Sequence, residues 1–318
     1  MDIRTVSLLG MLCAARLVSP QNAAAADGIY VAVGGEGRRL ASTDGEHWTN
    51  DQRSSDKDTL FNIAYGLGRF IAVGGGPKTA QLLSSVDGKS WKALPSLPGC
   101  VASIAFGNGR FVAGHDAQLL SSTDGENFVP GEKLEFHGTI HPRRSAFGSG
   151  EAGPRFVIIG DVDLSETGAR VSWRASTETG ERYTSQELDT APALDVAYGS
   201  GRFVVVGPKG LIESSHDGQI WLRHPSDPDE DFSRVIWTGQ RFLISGGKKT
   251  WSSSDGVHWS AEIDRLPGVL IWAEESAKTR ILTQASDGAL AFSSDLLRWR
   301  RPAVNSGPAL EALAYSGQ

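Results

Sequence analysis

The chain has 318 residues, with 31 Lys and Arg against 37 Asp and Glu, and a formal net charge of −6. An acidic chain without a block of basic residues is poorly suited to nucleic acid or to an anionic membrane surface, so we expect neither as a partner. Its two cysteines, Cys13 and Cys100, are too few for a disulfide framework, so packing has to hold the fold together.

The start of the chain predicts an export signal. Arg4 gives a charged start, Val6 to Val18 an apolar run, and the small residues ending at Ala26 a cleavage site. The run is too short to cross a bilayer. We therefore expect residues 1–26 to be removed and residues 27–318 to form one secreted or periplasmic domain, monomeric and without a membrane span.

A hairpin pattern then begins and returns along the chain. Its clearest copy, Ile63–Gly74, reads as a strand ending in an aromatic residue, a Gly-containing turn, and a second strand that opens with Arg-Phe. Similar copies occupy residues 104–114, 196–207 and 235–246. The Arg that opens each second strand has a place in the repeat, so we interpret it as structural.

A second pattern follows each hairpin, as in Ser85-Val86-Asp87-Gly88, with an aromatic residue three positions later. Asp-Gly is the strongest short hairpin signal, because a tight turn needs the positive φ that these residues tolerate. The aromatic residue falls on the same face each time and could be buried between sheets. We expect Trp91→Ala or Trp259→Ala to cost about 3 to 5 kcal/mol if these side chains are core.

Seven such segments, which we call the boxes, recur along the chain. Their spacing runs from 37 residues, between Asp87 and Asp124, to 54 residues, between Asp124 and Glu178. In the fourth box we assign Glu178 to the acidic position and count one extra residue before the Gly. Four strands at this spacing are typical of one blade of a β-propeller. The acidic positions are Asp44, Asp87, Asp124, Glu178, Asp217, Asp255 and Asp295.

The two ends of the chain complete one repeat between them. Gly28–Gly34 matches a second strand but has no first strand before it, and Leu310–Gly317 matches that missing strand. We therefore predict an all-β, seven-bladed β-propeller of four-stranded antiparallel blades, closed by pairing of the C-terminal strand with the N-terminal blade. Closure leaves no open sheet edge. Two packed β-sandwiches are the alternative, but they would not explain the split repeat.

The boxes resemble the Asp-box, or bacterial neuraminidase repeat, written Ser-x-Asp-x-Gly-x-x-Trp, of sialidase-like propellers. Most copies here are one residue shorter, because Asp and Gly are adjacent. The resemblance implies a propeller whose boxes lie in turns far from any catalytic centre. It does not extend to sialidase activity, since all five tyrosines occupy repeat positions, which leaves none as a nucleophile, and no Arg-Ile-Pro motif is present.

Departures from the repeat concentrate in the fourth blade, in residues 131–142 and 160–168. We interpret both as loops at the end of the channel opposite the boxes, where the entries to the first strands also lie. Mixed charges there would suit a polar ligand, with ordinary surface solvation as the alternative. The spacing of His137 and His141 matches no strong metal motif, so we expect neither a metal nor a cofactor. The predicted ligand-binding residues are His115, Asp116, His141, Arg144, Asp161, Asp163, Asp195 and Arg234.

These patterns predict a non-catalytic binding or assembly module for a glycan or protein partner, like the exported Asp-box propellers that the chain resembles. The alternative is a glycan-active hydrolase or lyase with its site at the same channel mouth. Joint replacement of His141 and Arg144 by Ala is expected to abolish binding or turnover and to leave the melting temperature nearly unchanged.

Overall fold

A computed structural model describes residues 28–54, 58–76, 78–136, 138–188, 192–264, 266–274, 280–285, 288–301 and 307–317. Across these ranges the chain forms 29 β-strands in seven antiparallel sheets and no helix, so no helix there could cross a membrane. The predicted seven-bladed β-propeller is confirmed. The predicted signal peptide and His137 lie outside the described residues.

The first four blades follow one another along the chain, and their strands run from the innermost to the outermost. Blade one is the exception, because its innermost strand comes from the end of the chain. Blade one contains β1 (Tyr30–Gly34), β2 (Arg39–Ser42) and β3 (Thr49–Gln52). Blade two contains β4 (Thr59–Gly66), β5 (Arg69–Gly75), β6 (Thr79–Ser85) and β7 (Lys92–Ala93), with a short β8 (Leu97–Pro98) beside β6. Blade three contains β9 (Val101–Gly107), β10 (Arg110–His115), β11 (Gln118–Ser122) and β12 (Val129–Lys133). Blade four contains β13 (Gly138–Gly150), β14 (Gly153–Leu164), β15 (Arg170–Thr177) and β16 (Thr184–Leu188).

The remaining blades repeat the same order. Blade five contains β17 (Asp195–Gly199), β18 (Arg202–Gly207), β19 (Leu211–Ser215) and β20 (Leu222–Arg223). Blade six contains β21 (Arg234–Trp237), β22 (Phe242–Ser245), β23 (Lys249–Ser253) and β24 (Ser260–Asp264). Blade seven contains β25 (Val269–Glu274), β26 (Arg280–Gln284), β27 (Leu290–Ser293) and β28 (Trp299–Arg300), and β29 (Leu310–Tyr315) is the innermost strand of blade one.

The ring closes through β29, as the split repeat predicts. This strand pairs antiparallel with β1, placing Tyr30 opposite Tyr315, and the two rings stack with centroids 4.2 Å apart. Arg38 adds a second attachment: its fully buried guanidinium donates to Asp51 within blade one and to the carbonyl oxygen of Pro308 just before β29. The innermost strands of blades seven and two both contact β29, so the ring is continuous.

The core lies between the blades rather than within any one of them. Val31 and Val33 of blade one pack with Leu60 and Phe70 of blade two, and all four side chains are buried. The turns inside the hairpins follow from local sequence. Leu67 and Gly68 have φ of 51° and 72°, the two successive positive values that a type I′ turn requires.

The boxes are longer loops than the sequence predicts. Six residues separate β2 from β3, and only Gly45 has positive φ, 76°, whereas Asp44 does not. Asp44 Oδ1 instead accepts the amides of Glu46 and His47 at 2.8 and 2.7 Å, and Ser42 Oγ accepts the amide of Gly45 at 2.9 Å. The prediction of a tight turn with positive φ at both Asp and Gly was wrong for this box, because the oxygens of Ser42 and Asp44 close a longer loop.

The second box shows what this arrangement does to its carboxylate. The amides of Ser90 and Lys89 donate to Asp87 Oδ1 at 2.7 and 2.8 Å, and these bonds lower the pKa of Asp87 to about 2. Hydrogen bonds to the ionised form stabilise it, so the box closes with a charged Asp.

The fourth box has no inserted residue, and our assignment of Glu178 was wrong. Thr177 Oγ1 accepts the amide of Gly180 at 2.8 Å, as the box Ser does elsewhere, and Thr179 Oγ1 accepts the amide of Glu181 at 3.3 Å, where the box Asp stands elsewhere. Glu178 points outward to Arg155, with 3.2 Å between Nη2 and Oε1. The hydroxyls of Thr177 and Thr179 replace the side chains of Ser and Asp in this box. Glu178 lies between them and was assigned to the acidic position only because of its charge.

The aromatic residues of the boxes are not uniformly core. Trp48 is 8 % exposed, lies between blades one and seven, and donates from Nε1 to the oxygen of Gly45 at 3.1 Å. Trp91 and Trp259 are only half-buried at the edges of their clusters. The prediction that these two behave as core residues needs correction, because they cover the outer edge of a blade interface.

We expect Trp48→Ala to lower the free energy of unfolding by about 3 kcal/mol, because it empties a buried indole site. Trp91→Ala should cost about half as much, since part of that ring already faces water. Urea unfolding followed by far-UV circular dichroism measures both. Equal losses at the two positions would show that burial does not set the contribution of a box aromatic.

The irregularity of blade four is an extension of strands, not a pair of loops. β13 and β14 have 13 and 12 residues and remain paired as far as Gly138 and Leu164. Ile140 and Val162 are buried in this extension. The residues next to them in sequence, His141 and Asp161, line the channel mouth instead. Our interpretation of residues 160–168 as a long loop was wrong, because apolar residues at every second position favour strand pairing.

Candidate binding site

The channel mouth opposite the boxes holds a cavity of about 540 Å³. Third strands run parallel to first strands, so the boxes, which follow third strands, lie at the far end from the starts of first strands. Apolar lining comes from Phe61, Ala102, Pro142 and Leu194. The charged lining side chains, together with the one histidine of the lining, are His141, Arg143, Arg144, Asp161, Arg170, Arg234 and Glu311.

Arg144 spans the channel from blade four. Its side chain is 16 % exposed, and Nη1 donates to the oxygens of Phe61, in blade two, and of Arg143, at 3.3 and 3.2 Å. Burial, together with the nearby positive charge of Arg234, lowers the pKa of Arg144 to about 10. The guanidinium is therefore held in place by main-chain oxygens and stays charged at neutral pH.

Asp195 lies beneath Arg144 and does not line the cavity. Its two oxygens accept the amides of Val196 and Val235, each at 3.0 Å, and Oδ1 is 3.9 Å from Arg144 Nε. Burial raises the pKa of Asp195, and the charges of Arg234 and Arg144 oppose that shift. Asp195 therefore lies next to Arg144 without lining this cavity, and its predicted role as a direct ligand contact stays a prediction.

Glu311 on β29 links the two channel arginines. Its Oε2 is 3.6 Å from Arg144 Nη2 and 3.7 Å from Arg234 Nη2, and its main-chain oxygen accepts Arg234 Nη2 at 3.0 Å. Sequence reasoning missed this residue. The available signal was its place at the start of a first strand, which it shares with Asp195 and Arg234.

The extended strands of blade four supply the rest of the rim. His141 Nε2 is 3.0 Å from Asp163 Oδ2, and Arg170 holds both oxygens of Asp163 at 2.6 and 2.9 Å. These contacts, the one with Arg170 above all, lower the pKa of Asp163 to about 2. Arg143 forms an ion pair with the buried carboxylate of Asp161. Asp163 thus positions its neighbours rather than lining the cavity, and Arg143 and Arg170 are site residues that our prediction omitted.

His115 and Asp116 belong to another part of blade three. His115 Nε2 is hydrogen-bonded to the oxygen of Pro98 at 2.7 Å, and Asp116 Oδ1 accepts the amide of Cys100 at 3.2 Å. Neither lines the cavity. The short loop between β10 and β11 turns both side chains back onto residues 98 and 100, away from this cavity, so their part in ligand binding stays a prediction.

The cavity is locally cationic in an acidic protein. Four arginines line it, against the carboxylates of Asp161 and Glu311. Across the ranges that the structure describes, no group of three or more His, Cys, Asp or Glu side chains is placed to hold a metal ion. Of the eight predicted residues, the structure brings His141, Arg144, Asp161 and Arg234 together at the cavity wall. An arrangement of this charge favours a ligand with anionic groups.

Comparison with known proteins finds similarity of fold at low sequence identity. No protein-family model matches the chain, and no curated protein is similar to it. A solved protein from Lactobacillus plantarum has a TM-score of 0.63 at 11 % identity, covering 91 % of this chain and 99 % of that one. YCF48 bound to D1 peptide has a TM-score of 0.55 at 18 % identity, covering 89 % and 91 %. A structure of the nidogen/laminin complex has a TM-score of 0.51 at 6 % identity, covering 91 % and 97 %. The chain therefore shares the propeller fold with these proteins, and the resemblance to Asp-box repeats stays a prediction.

Proposed function

We propose that this chain is an exported, non-catalytic binding module that takes an acidic segment of a partner protein at the channel mouth. The observation that carries the proposal is the excess of arginine in the cavity. Arg144 Nε and Nη2 have no hydrogen-bond acceptor within 3.5 Å among the described residues, because the acids beside them stand 3.6 to 3.9 Å away. A guanidinium with free donors binds a carboxylate through two parallel hydrogen bonds.

The remaining lining favours a peptide over a sugar. Phe61 is the only Phe, Tyr or Trp among the described side chains of the cavity wall, and the other apolar lining residues, such as Ala102 and Leu194, are aliphatic. Such a surface accepts main chain and short side chains between the charged contacts. Two of the similar folds are seen with a peptide or protein partner, YCF48 with D1 peptide and nidogen with laminin, which supports a partner of the same class.

One observation favours a second candidate function, a polysaccharide lyase acting on acidic glycans. His141 and its partner Asp163 stand at the same cavity as Arg143 and Arg144. A histidine oriented by a carboxylate can remove a proton, and an arginine can neutralise the neighbouring carboxylate of a uronate.

We test the first proposal with two labelled ten-residue peptides, one rich in Asp and Glu and one with Asn and Gln in their place. Fluorescence anisotropy should show binding of the acidic peptide only, weakening as salt rises. Arg170→Ala, which removes a half-exposed cation of the rim, should weaken binding about two- to fivefold.

Arg182→Ala is the matched control, because Arg182 is an exposed arginine in the fourth box at the opposite end. Equal binding of both peptides, or equal losses for Arg170→Ala and Arg182→Ala, would contradict the proposal. Oligogalacturonate is assayed alongside. If oligogalacturonate binds without being cleaved and the acidic peptide does not bind, the partner is a glycan. If new unsaturated ends appear, the chain is a lyase.

A further inference from the structure

The carboxylate of Glu311 stands where an anionic ligand group would bind. It lies between Arg144 of blade four and Arg234 of blade six, with Oε2 3.6 and 3.7 Å from their Nη2 atoms. We infer that Glu311 is an internal competitor that occupies the arginine pair until an acidic ligand displaces it. This inference rests on the proposed function and concerns how the same site selects its ligand.

The contacts of Glu311 suit a group that is held and can be released. Both ion pairs are longer than a hydrogen bond, and the side chain is 32 % exposed. The main-chain oxygen of Glu311, by contrast, accepts Arg234 Nη2 at 3.0 Å. The strand therefore stays in place through its backbone, while the carboxylate makes only contacts of the kind that contribute little when water can reach them.

The displaced side chain has space to enter. Glu311 also lines a second cavity of about 640 Å³ between blades six, seven and one, whose wall includes Lys249. A carboxylate that turns away from Arg144 would enter this cavity, whose wall is partly polar and also includes Arg234 and Gln284. Release of Glu311 would then be a side-chain rotation that keeps the main-chain contact of β29 with Arg234.

Competition of this kind sets a threshold for the ligand. A ligand with one carboxylate only replaces the charge that Glu311 already supplies, whereas a ligand with two neighbouring carboxylates adds an interaction. The site should therefore prefer segments with adjacent acidic residues over single carboxylates. That preference is a property of Glu311, since the arginines alone would bind either.

The test uses the acidic and neutral peptides with Glu311→Gln, which keeps the shape and removes the charge. We expect Glu311→Gln to bind the acidic peptide about two- to fivefold more tightly than the parent, the gain set by loss of a partly exposed competing charge. The gain should be larger for a peptide with a single Glu. Glu181→Gln, an exposed change in the fourth box, should bind like the parent.

Glu311→Asp is the second variant, in case the amide destabilises the ring. Its carboxylate is withdrawn by one methylene, so its affinity should lie between those of the parent and Glu311→Gln. Unchanged or weaker binding by Glu311→Gln and Glu311→Asp, in a parent that still prefers the acidic peptide, would overturn the inference and leave the proposed function intact. A parent that does not distinguish the two peptides would overturn both.

Discussion

Deleting residues 310–318 should abolish cooperative folding of the propeller. The deletion removes β29, the innermost strand of blade one, and leaves the edge of β1 without a partner. It also opens the contact between blades seven and one, where Leu310 packs with Tyr30 and Trp48. A sheet with a newly exposed apolar edge tends to pair with other chains, so we expect aggregation rather than a smaller stable propeller.

The matched control is deletion of residues 317–318, which lie beyond β29. Differential scanning calorimetry and size-exclusion chromatography measure both truncations. The control should give one cooperative transition close to that of the parent. A soluble longer deletion that melts within about 4 °C of the parent would show that β29 does not close the ring.

Arg144→Ala should weaken binding of the acidic peptide at least about tenfold, because it removes a guanidinium that donates charge-assisted hydrogen bonds. It should also lower the free energy of unfolding by about 3 kcal/mol. Asp195 is buried and shares the charges of Arg144 and Arg234, and a buried carboxylate that loses one of its two neighbouring cations is costly. The expectation that the melting temperature stays nearly unchanged when Arg144 is lost therefore has to be revised.

A double-mutant cycle separates the two effects. Asp195→Asn removes the buried charge but also turns one of its two amide acceptors into a donor. The combination of Arg144→Ala with Asp195→Asn should therefore cost less stability than the sum of the two single changes and should recover none of the lost affinity. Urea unfolding and peptide anisotropy give the two quantities for each variant. Full stability of Arg144→Ala on its own would mean that Arg234 and the amides of Val196 and Val235 are sufficient to stabilise Asp195.

Local sequence determined the architecture. A turn such as Leu67-Gly68 needs positive φ at two successive residues, and a second strand opening with Arg-Phe follows it at once, so each hairpin can be read without its neighbours. The number of blades and their closure follow from counting these units and from the split between residues 28–34 and 310–317. The prediction failed where other residue types make the same hydrogen bonds: in the fourth box, Thr177 and Thr179 accept the main-chain amides that Ser and Asp accept in the other boxes.

The site was decided by tertiary structure. Charged residues at the starts of first strands could be recognised, which is why Arg144 and Arg234 were predicted. His115 and Asp116 have the same chemical character, yet a short loop directs them to the main chain of residues 98 and 100. Glu311 gains its partners only because closure brings the last strand across the channel from blades four and six. Ion pairing depends on distance in space, and no spacing along the chain encodes the distance between residues on opposite walls of a ring.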